Sequence, residues 1–336
     1  MSYSELPSAS VLLNFAIAFF VTFAATPIVA KVMRRKRIVG NDVHKVSRTE
    51  VPEMCGLAIL IGLVSASVCF VAFYPGTYAY VAAFIGTVLI GGSIGFVDDL
   101  RPLGPRTKPV LTAIACLPIL ILRTYNSSPV IPLLGPVRMS LVYPFLIPLA
   151  VAVCSNSVNM MDVMNGSMAG TVGIISLMST IVLFAAGKTE LASLSAGLLA
   201  AMLAFYYYNR YPAKVFDGDT GSLAVGAAIA ALAIMGGIEI VMMVALIPHI
   251  MNAFYGLSSV GRLYERREIS NRPTRLLQNG MLQASADRGS PITLTRLILA
   301  AGALREPEVV KAMMVLTLIS SLLGVLTYLI TLGGRV

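Results

Sequence analysis

Histidine is nearly missing from this sequence: His44 and His249 are the only two. A zinc site or a histidine-based nucleophilic triad therefore has almost nothing to be built from. Cysteine is scarce as well. Cys55, Cys69, Cys116 and Cys154 each lie in or beside an apolar run, with no C-x-x-C pair and no metal-ligand spacing, so they read as small apolar packing residues. Charge is the third shortage. Only 12% of residues are Asp, Glu, Lys or Arg against 57% hydrophobic, with a mean hydropathy of +0.83. Those values argue against water as the solvent and for a bilayer. Any chemistry must rest on carboxylates, amides, Lys and Arg.

What is present in abundance is apolar sequence. A helix needs about 20 apolar residues to cross the hydrocarbon, and about ten stretches qualify: near 11–30, 56–74, 78–97, 109–123, 139–156, 167–186, 190–208, 220–236, 238–257 and 311–332. The fourth is short and contains Pro118, and the ninth contains Pro248; these two are predicted to be kinked or broken. The middles of the stretches carry no Lys, Arg, Asp or Glu. Coupled transporters place ionisable groups near the midplane, so that class loses ground. The expected fold is an all-α integral membrane protein, a single polytopic domain over 1–336 without internal repeats.

Residues 1–10 contain no Lys or Arg, whereas Lys31, Arg34, Arg35, Lys36 and Arg37 follow the first stretch, the reverse of a cleaved signal peptide. Loops after the odd-numbered stretches hold 21 of the 25 basic residues. By the positive-inside rule that side is cytoplasmic and both termini are extracytoplasmic. Topology thus accounts for the +9 charge, and no nucleic-acid partner is expected. Thirteen of the 16 acidic residues share the same side, which the rule does not require. The long segment 258–310 reads as a small cytoplasmic extension. Within it, Asn279-Gly280 between 274–278 and 281–285 predicts a type I′ β-hairpin, and Ile292 to Leu304 an amphipathic interfacial helix.

Polar residues cluster in the loops of this side. Asp98 and Asp99 close Gly95-Phe-Val-Asp-Asp-Leu100 at a helix C-terminus, where the dipole disfavours negative charge. They are either a solvated helix end or acids balanced by Arg106 and Lys108 beside a phosphate. Asn156, Asn159, Asp162 and Asn165 recur every three residues, which on a helix lines one wall; an Asx-rich turn is the structural alternative. In Phe216-Asp-Gly-Asp-Thr220, Asp219 is placed to N-cap the next helix and also suits a metal bridged to phosphate. Two further groups are weaker signals. Asp42, His44, Lys45 and Glu53 lie in the first loop, and Arg262, Arg266, Arg267, Arg272 and Arg275 in the ninth, serving as orientation signal or anion clamp. Carboxylates repel phosphates unless a divalent cation bridges them, so this mixture suggests a Mg²⁺ and polyphosphate site.

In the order and spacing of these motifs the chain resembles the polyprenyl-phosphate N-acetylhexosamine-1-phosphate transferase superfamily, which is glycosyltransferase family 4-like. It is most similar to the archaeal and eukaryotic UDP-GlcNAc:dolichyl-phosphate branch through Pro52-Glu53, Asn165 and Asn271-Arg272-Pro-Thr-Arg275. It lacks the His-rich ninth loop of the bacterial MurNAc-pentapeptide and undecaprenyl enzymes. The resemblance implies transfer of GlcNAc-1-phosphate from UDP-GlcNAc to a dolichyl-type polyprenyl phosphate, with release of UMP. That is the first membrane step of lipid-linked, N-glycan-type assembly, on the cytoplasmic face of the cell membrane, or of the endoplasmic reticulum in a eukaryote.

The same resemblance implies Mg²⁺, with Mn²⁺ as its alternative, held by Asn159 and Asp219. Catalytic roles fall to Asp98, Asp99, Lys108 and Asp219. Phe216 and Asn165 would flank the uracil, and Lys108 and Arg272 would contact the diphosphate. Glu53, Asn156, Asp162 and Arg275 complete the substrate-binding set, with Asp162 following the bacterial pattern. Another UDP-HexNAc, undecaprenyl phosphate, an aspartyl-phosphate route through Asp98, and a homodimer in the membrane lipid all stay open. The competing classes are a CDP-alcohol phosphatidyltransferase, whose aspartates belong to one contiguous motif, and a nucleotide-sugar transporter.

Overall fold

The computed structural model describes residues 6–45, 49–263 and 271–333. Backbone groups in lipid must be satisfied within the protein, which leaves the helix as the natural form of an apolar span. All the apolar stretches are helical. In chain order they are α1 (Leu6–Arg35), α2 (Leu57–Phe73), α3 (Tyr78–Leu100), α4 (Thr107–Ile114) with α5 (Leu117–Ile121), α6 (Tyr143–Met161), α7 (Ser167–Ala185), α8 (Thr189–Asn209), α9 (Gly218–Gly236), α10 (Glu239–Ala245) with α11 (Ile247–Val260), and α13 (Glu306–Gly333). The short α12 (Leu294–Ile298) precedes α13.

Among the described residues seven helices are long and apolar enough to cross a membrane, and eight if α10 and α11, bent by 65°, form one span. The remaining two stretches fall short on length: α2 has 17 residues, about 26 Å of helix against about 30 Å of hydrocarbon, and α4 with α5 is shorter still. Both predicted breaks occur. The chain leaves α4 just before Pro118 and turns between α10 and α11 just before Pro248. Pro27 and Pro148, by contrast, sit inside continuous helices.

The centre of the bundle is α9, rich in Ala and Gly and buried along nearly its whole length. It packs chiefly on α3 and α6, and its small side chains let those backbones come close. The closest approach is at Gly95, where an added Cβ would lie 2.1 Å from the carbonyl oxygen of Asp219. The end of α3 thereby runs against the first turn of α9.

Among the described residues three two-stranded ribbons join the helices. β1 (Val39–Asn41) pairs antiparallel with β2 (Glu50–Pro52), β3 (Val130–Ile131) with β4 (Gly135–Pro136), and β5 (Thr274–Leu276) with β6 (Leu282–Ala284). The last is the hairpin expected in the extension, but its turn is different. Gly280 has φ +77 while Asn279 is not among the positive-φ residues, and a type I′ turn needs both. The Gly280 N–H instead donates to Leu277 O at 3.0 Å and the Leu277 N–H to Met281 O at 2.8 Å, giving a three-residue loop with a glycine bulge.

The expected helix over 292–304 is also shorter, reduced to α12 and one 3-10 turn at Leu299–Ala301. Its end is drawn off because Leu304 exchanges backbone hydrogen bonds with Leu282 at 2.7 and 3.0 Å. A separate apolar cluster, with Leu282 and Leu299 packed with Met161, Met164, Val309 and Met313, seats the extension on the ends of α6 and α13.

Candidate active site

The end of α3 explains how two aspartates survive at a helix C-terminus. Asp99 does not face a solvated helix end. Its Oδ1 accepts the Asp219 N–H at 2.8 Å, and its Oδ2 accepts the Thr220 N–H at 2.9 Å and the Thr220 hydroxyl at 2.6 Å. Asp99 therefore caps α9 from another element, and the positive end of the α9 dipole offsets the negative end of α3. This corrects the expectation that Asp219 caps the helix: α9 begins at Gly218, so Asp219 lies inside its first turn. Gly218 has φ +70, and a Cβ there would meet Asp99 Oδ2 at 2.6 Å. The Asp-Gly-Asp sequence is a turn shaped around the Asp99 carboxylate.

Freed from capping, the Asp219 side chain points to other partners. Its Oδ1 accepts the Asn159 amide at 2.8 Å, and Asn159 also reaches Ser222 Oγ at 2.8 Å. Its Oδ2 accepts Lys108 Nζ. The same ammonium lies 2.7 Å from Asp98 Oδ2, while Asp98 Oδ1 accepts the Leu103 N–H at 2.5 Å. Asp98 and Lys108 are buried and Asp219 is partly open, with its side chain 29% exposed. Four elements, α3, α4, α6 and α9, thus deliver Asp98, Lys108, Asn159 and Asp219 to one point. Asn156 stands one turn earlier on α6, its amide held by Thr112 Oγ1 and Ala152 O, each at 2.8 Å. That bond ties α6 to α4 and fixes Lys108 relative to Asn159.

The donor set suits a hard divalent cation. Asp98 and Asp219 converge on a single ammonium, so as carboxylates the two together exceed its positive charge. Asp219 and Asn159 supply oxygen donors of the kind Mg²⁺ prefers. No group of three or more His, Cys, Asp or Glu stands together as a closed cage among the described residues. Mg²⁺ is commonly held by one or two carboxylates, with water and substrate phosphate filling its shell.

A second polar centre lies on the loops. Asp162 ends α6 and accepts the Ser167 hydroxyl at 3.4 Å. Near it is Asp217, whose carboxyl is pushed well above the usual range by burial and then by the Asp162 charge. Asn165 is buried and its amide donates to Asp42 Oδ2 at 3.0 Å, while its backbone N–H donates to Glu306 Oε1 at 2.7 Å. The amide expected beside a nucleobase is thus engaged by a carboxylate of the first loop. Phe216 is bound into that loop through its N–H to Pro52 O at 2.9 Å and its carbonyl to the Cys55 N–H at 2.8 Å. Its ring and Glu53 both border Gly40, 3.2 and 3.3 Å from where a Cβ would stand.

Arg272 and Arg275 are not in the Lys108 cluster. They line a cavity of about 740 Å³ with Asn41, Val43, His44, Thr274 and Leu276, between the first loop and the β5–β6 hairpin. Arg266 and Arg267 lie outside the described residues. Sequence reasoning missed Glu306, Ser222, Thr112 and the buried role of Asp42. Only the Thr-Gly-Ser that follows Asp219 hinted at one of them, because the other partners are more than 40 residues apart.

Comparison with known proteins places these residues in a wider set. A family model described as Glycosyl transferase family 4 matches residues 80–237, the stretch that runs from α3 to the end of α9. A Methanocaldococcus jannaschii protein provisionally named a glycosyltransferase is 32% identical over 314 residues, covering 92% of this chain and 95% of that protein. A Saccharolobus solfataricus protein provisionally named a UDP-N-acetylglucosamine–dolichyl-phosphate N-acetylglucosaminephosphotransferase is 29% identical, over 76% of this chain and 84% of its own. The phospho-N-acetylmuramoyl-pentapeptide-transferase of Halalkalibacterium halodurans is 34% identical, over 69% and 77%.

Proposed function

The chain belongs to glycosyl transferase family 4, and we propose that it transfers GlcNAc-1-phosphate from UDP-GlcNAc to a polyprenyl phosphate of the dolichyl type, releasing UMP. The observation that carries this reading is the convergence of Asp98, Lys108, Asn159 and Asp219 at the end of an apolar bundle. A lipid acceptor and a soluble phosphate donor can meet only where a bilayer surface adjoins water. The loops of that end carry most of the charged residues, which favours the cytoplasmic face.

In the reaction a lipid phosphate oxygen attacks the β-phosphorus of the nucleotide sugar. The bond from that phosphorus to the bridging oxygen breaks, and its electron pair leaves with UMP. A phosphate monoester is already anionic near neutral pH, so no strong base is needed. Asp98, fixed by the Leu103 N–H and Lys108, orients the acceptor and takes any residual proton. Lys108 stays protonated between its carboxylates and offsets charge building on the bridging oxygen. Asp219 and Asn159 would hold Mg²⁺, which when bound supplies charge neutralisation at the diphosphate. Asp99 is a positioning residue: it touches only the backbone and hydroxyl at the start of α9 and sets the direction of Asp219. Both Asp98 oxygens already have donors, which favours direct displacement over an aspartyl-phosphate. Arg272 and Arg275, lining their cavity, would receive the sugar and diphosphate.

The test uses the full chain in detergent with UDP-GlcNAc, polyprenyl phosphate and Mg²⁺. Lipid-linked GlcNAc and stoichiometric UMP are expected, and a panel of UDP-sugars fixes the hexosamine. Absence of product with every UDP-HexNAc, together with uptake of nucleotide sugar into vesicles, would overturn the reading in favour of transport.

A further inference from the structure

Glu306 opens α13, the last span, and is 3% exposed. None of the reaction steps above uses it. Burying a carboxylate is unfavourable unless its oxygens are satisfied, and here only one of them is. Oε1 accepts the Asn165 N–H at 2.7 Å, across 141 residues of sequence. Oε2 has no hydrogen-bond partner among the described residues. The side chain is held in place for a single bond, and that bond begins a chain of contacts.

From Asn165 the contacts run to the first loop. The Asn165 amide donates to Asp42 Oδ2 at 3.0 Å; an ionised carboxylate can only accept, so the amide nitrogen faces it. Buried Asp42 also accepts the His44 N–H on Oδ1 at 3.3 Å and pairs with Lys45 at 2.5 Å. Its own N–H donates to Thr49 O at 3.2 Å. Asp42 thereby shapes the turn that carries Asn41, Val43 and His44 into the wall of the cavity of about 740 Å³.

The hairpin wall is reached from Glu306 in the other direction. Leu304, just before Glu306 in the chain, exchanges backbone hydrogen bonds with Leu282 at 2.7 and 3.0 Å. Leu282 lies on β6 and pairs with Leu276 of β5, the strand that bears Arg275. Glu306 thus stands where the tie to the first loop meets the tie to the hairpin. A cavity between two loops keeps its width only where something rigid joins them, and here the joint is the first turn of a 28-residue helix.

We propose that Glu306 is a positioning residue for donor binding: by holding the Asn165 backbone it sets the first loop at the distance from the hairpin that the nucleotide sugar requires. It acts through Asn165 and Asp42 and takes no part in the Lys108 cluster. What the site uses is the reach of its acceptor oxygen, not its charge. The proposal rests on the cavity being the seat of the UDP-sugar.

Two variants of the full chain separate reach from charge. Glu306→Gln keeps the length and the acceptor oxygen and removes the charge. Glu306→Asp keeps the charge at the start of the helix and shortens the side chain by a methylene. In detergent with UDP-GlcNAc, polyprenyl phosphate and Mg²⁺, E306D should raise the KM for UDP-GlcNAc about tenfold through loss of one buried hydrogen bond. Its kcat and its KM for the lipid should stay unchanged, and E306Q should behave as the parent. A loss of packing alone would lower the yield of active protein and leave the KM where it was. A parental KM in E306D, or an equal rise in E306Q, overturns the assignment.

A second measurement needs no turnover. Nitroxides at Asn41→Cys and Arg275→Cys, in a chain with Cys69 and Cys154 replaced by Ala, report the separation of the two walls by pulsed electron paramagnetic resonance without substrate. A shifted or broadened distance in E306D but not in E306Q is expected. Identical distances in all three chains overturn the proposal. If the walls respond as expected while no UDP-sugar is turned over, the transfer reading fails and the role of Glu306 in setting the walls stands.

Discussion

The carboxylate of Asp99 accepts the backbone N–H of Asp219 at 2.8 Å, so the two adjacent acids of α3 have separate roles. Asp98 faces Lys108, and Asp99 faces the backbone of α9. These neighbours point to different partners because the start of α9 lies directly against the end of α3.

Asp99→Ala should uncap α9 and lower stability by about 1–2 kcal/mol, with turnover falling through misplacement of Asp219. Asp99→Asn keeps one acceptor and should recover much of the thermal stability. If D99A and D99N melted at the same temperature in detergent as the parent, the capping role would be wrong.

Removing the Lys108 ammonium leaves Asp98 and Asp219 without the cation that both of them contact. Lys108→Met should reduce kcat by about 10²–10³, with a smaller effect on the KM for UDP-GlcNAc. Lys108→Arg should restore little, because a planar fork cannot reproduce a point charge between two carboxylates. Steady-state kinetics on both substrates decides it.

Chelation with EDTA should abolish turnover, and Mg²⁺ should restore it, with Mn²⁺ as a substitute. Asp219→Ala should remain folded and extractable but inactive at any Mg²⁺ concentration. Activity that survives either treatment would remove Asp219 from the metal.

Burial alone would raise the Asp42 carboxyl, but Lys45 at 2.5 Å and the Asn165 amide hold it below its ordinary 3.8. A depressed carboxylate stabilises the fold fully above its unfolded value and loses that contribution as pH falls through the folded one. Asp42→Ala, which breaks a buried pair, should cost about 3 kcal/mol near neutral pH. The gap between the parent and the variant in thermal unfolding should narrow below about pH 4. A gap independent of pH from 7 to 3 would mean that the charge contributes nothing.

Gly95→Ala places a methyl against the Asp219 carbonyl. The two backbones must separate, at a cost of about 1–3 kcal/mol, and activity should fall because Asp219 moves with α9. Equal melting temperatures and kcat would show that the helices do not need this contact.

The helices, the proline breaks and the clustering of acids among basic loops were legible in the sequence, because apolar runs and charge placement act locally. The β5–β6 hairpin was legible as well, though its turn type depended on the φ of a single residue, Asn279. Family membership followed from motif order.

Individual roles were another matter. From the sequence Asp98 and Asp99 are interchangeable, Asp219 looks like a cap, and Glu306 has no visible purpose. Each was assigned by a partner far along the chain: Asp219 by Lys108, 111 residues away, and Asn165 by Glu306 at a separation of 141. Sequence alone determined that this is a bilayer protein with its reactive groups gathered at one end. Only the tertiary structure decided which carboxylate meets the ammonium and which meets a helix backbone, because a hydrogen bond depends on angstrom-scale approach, here set by small residues packed around α9.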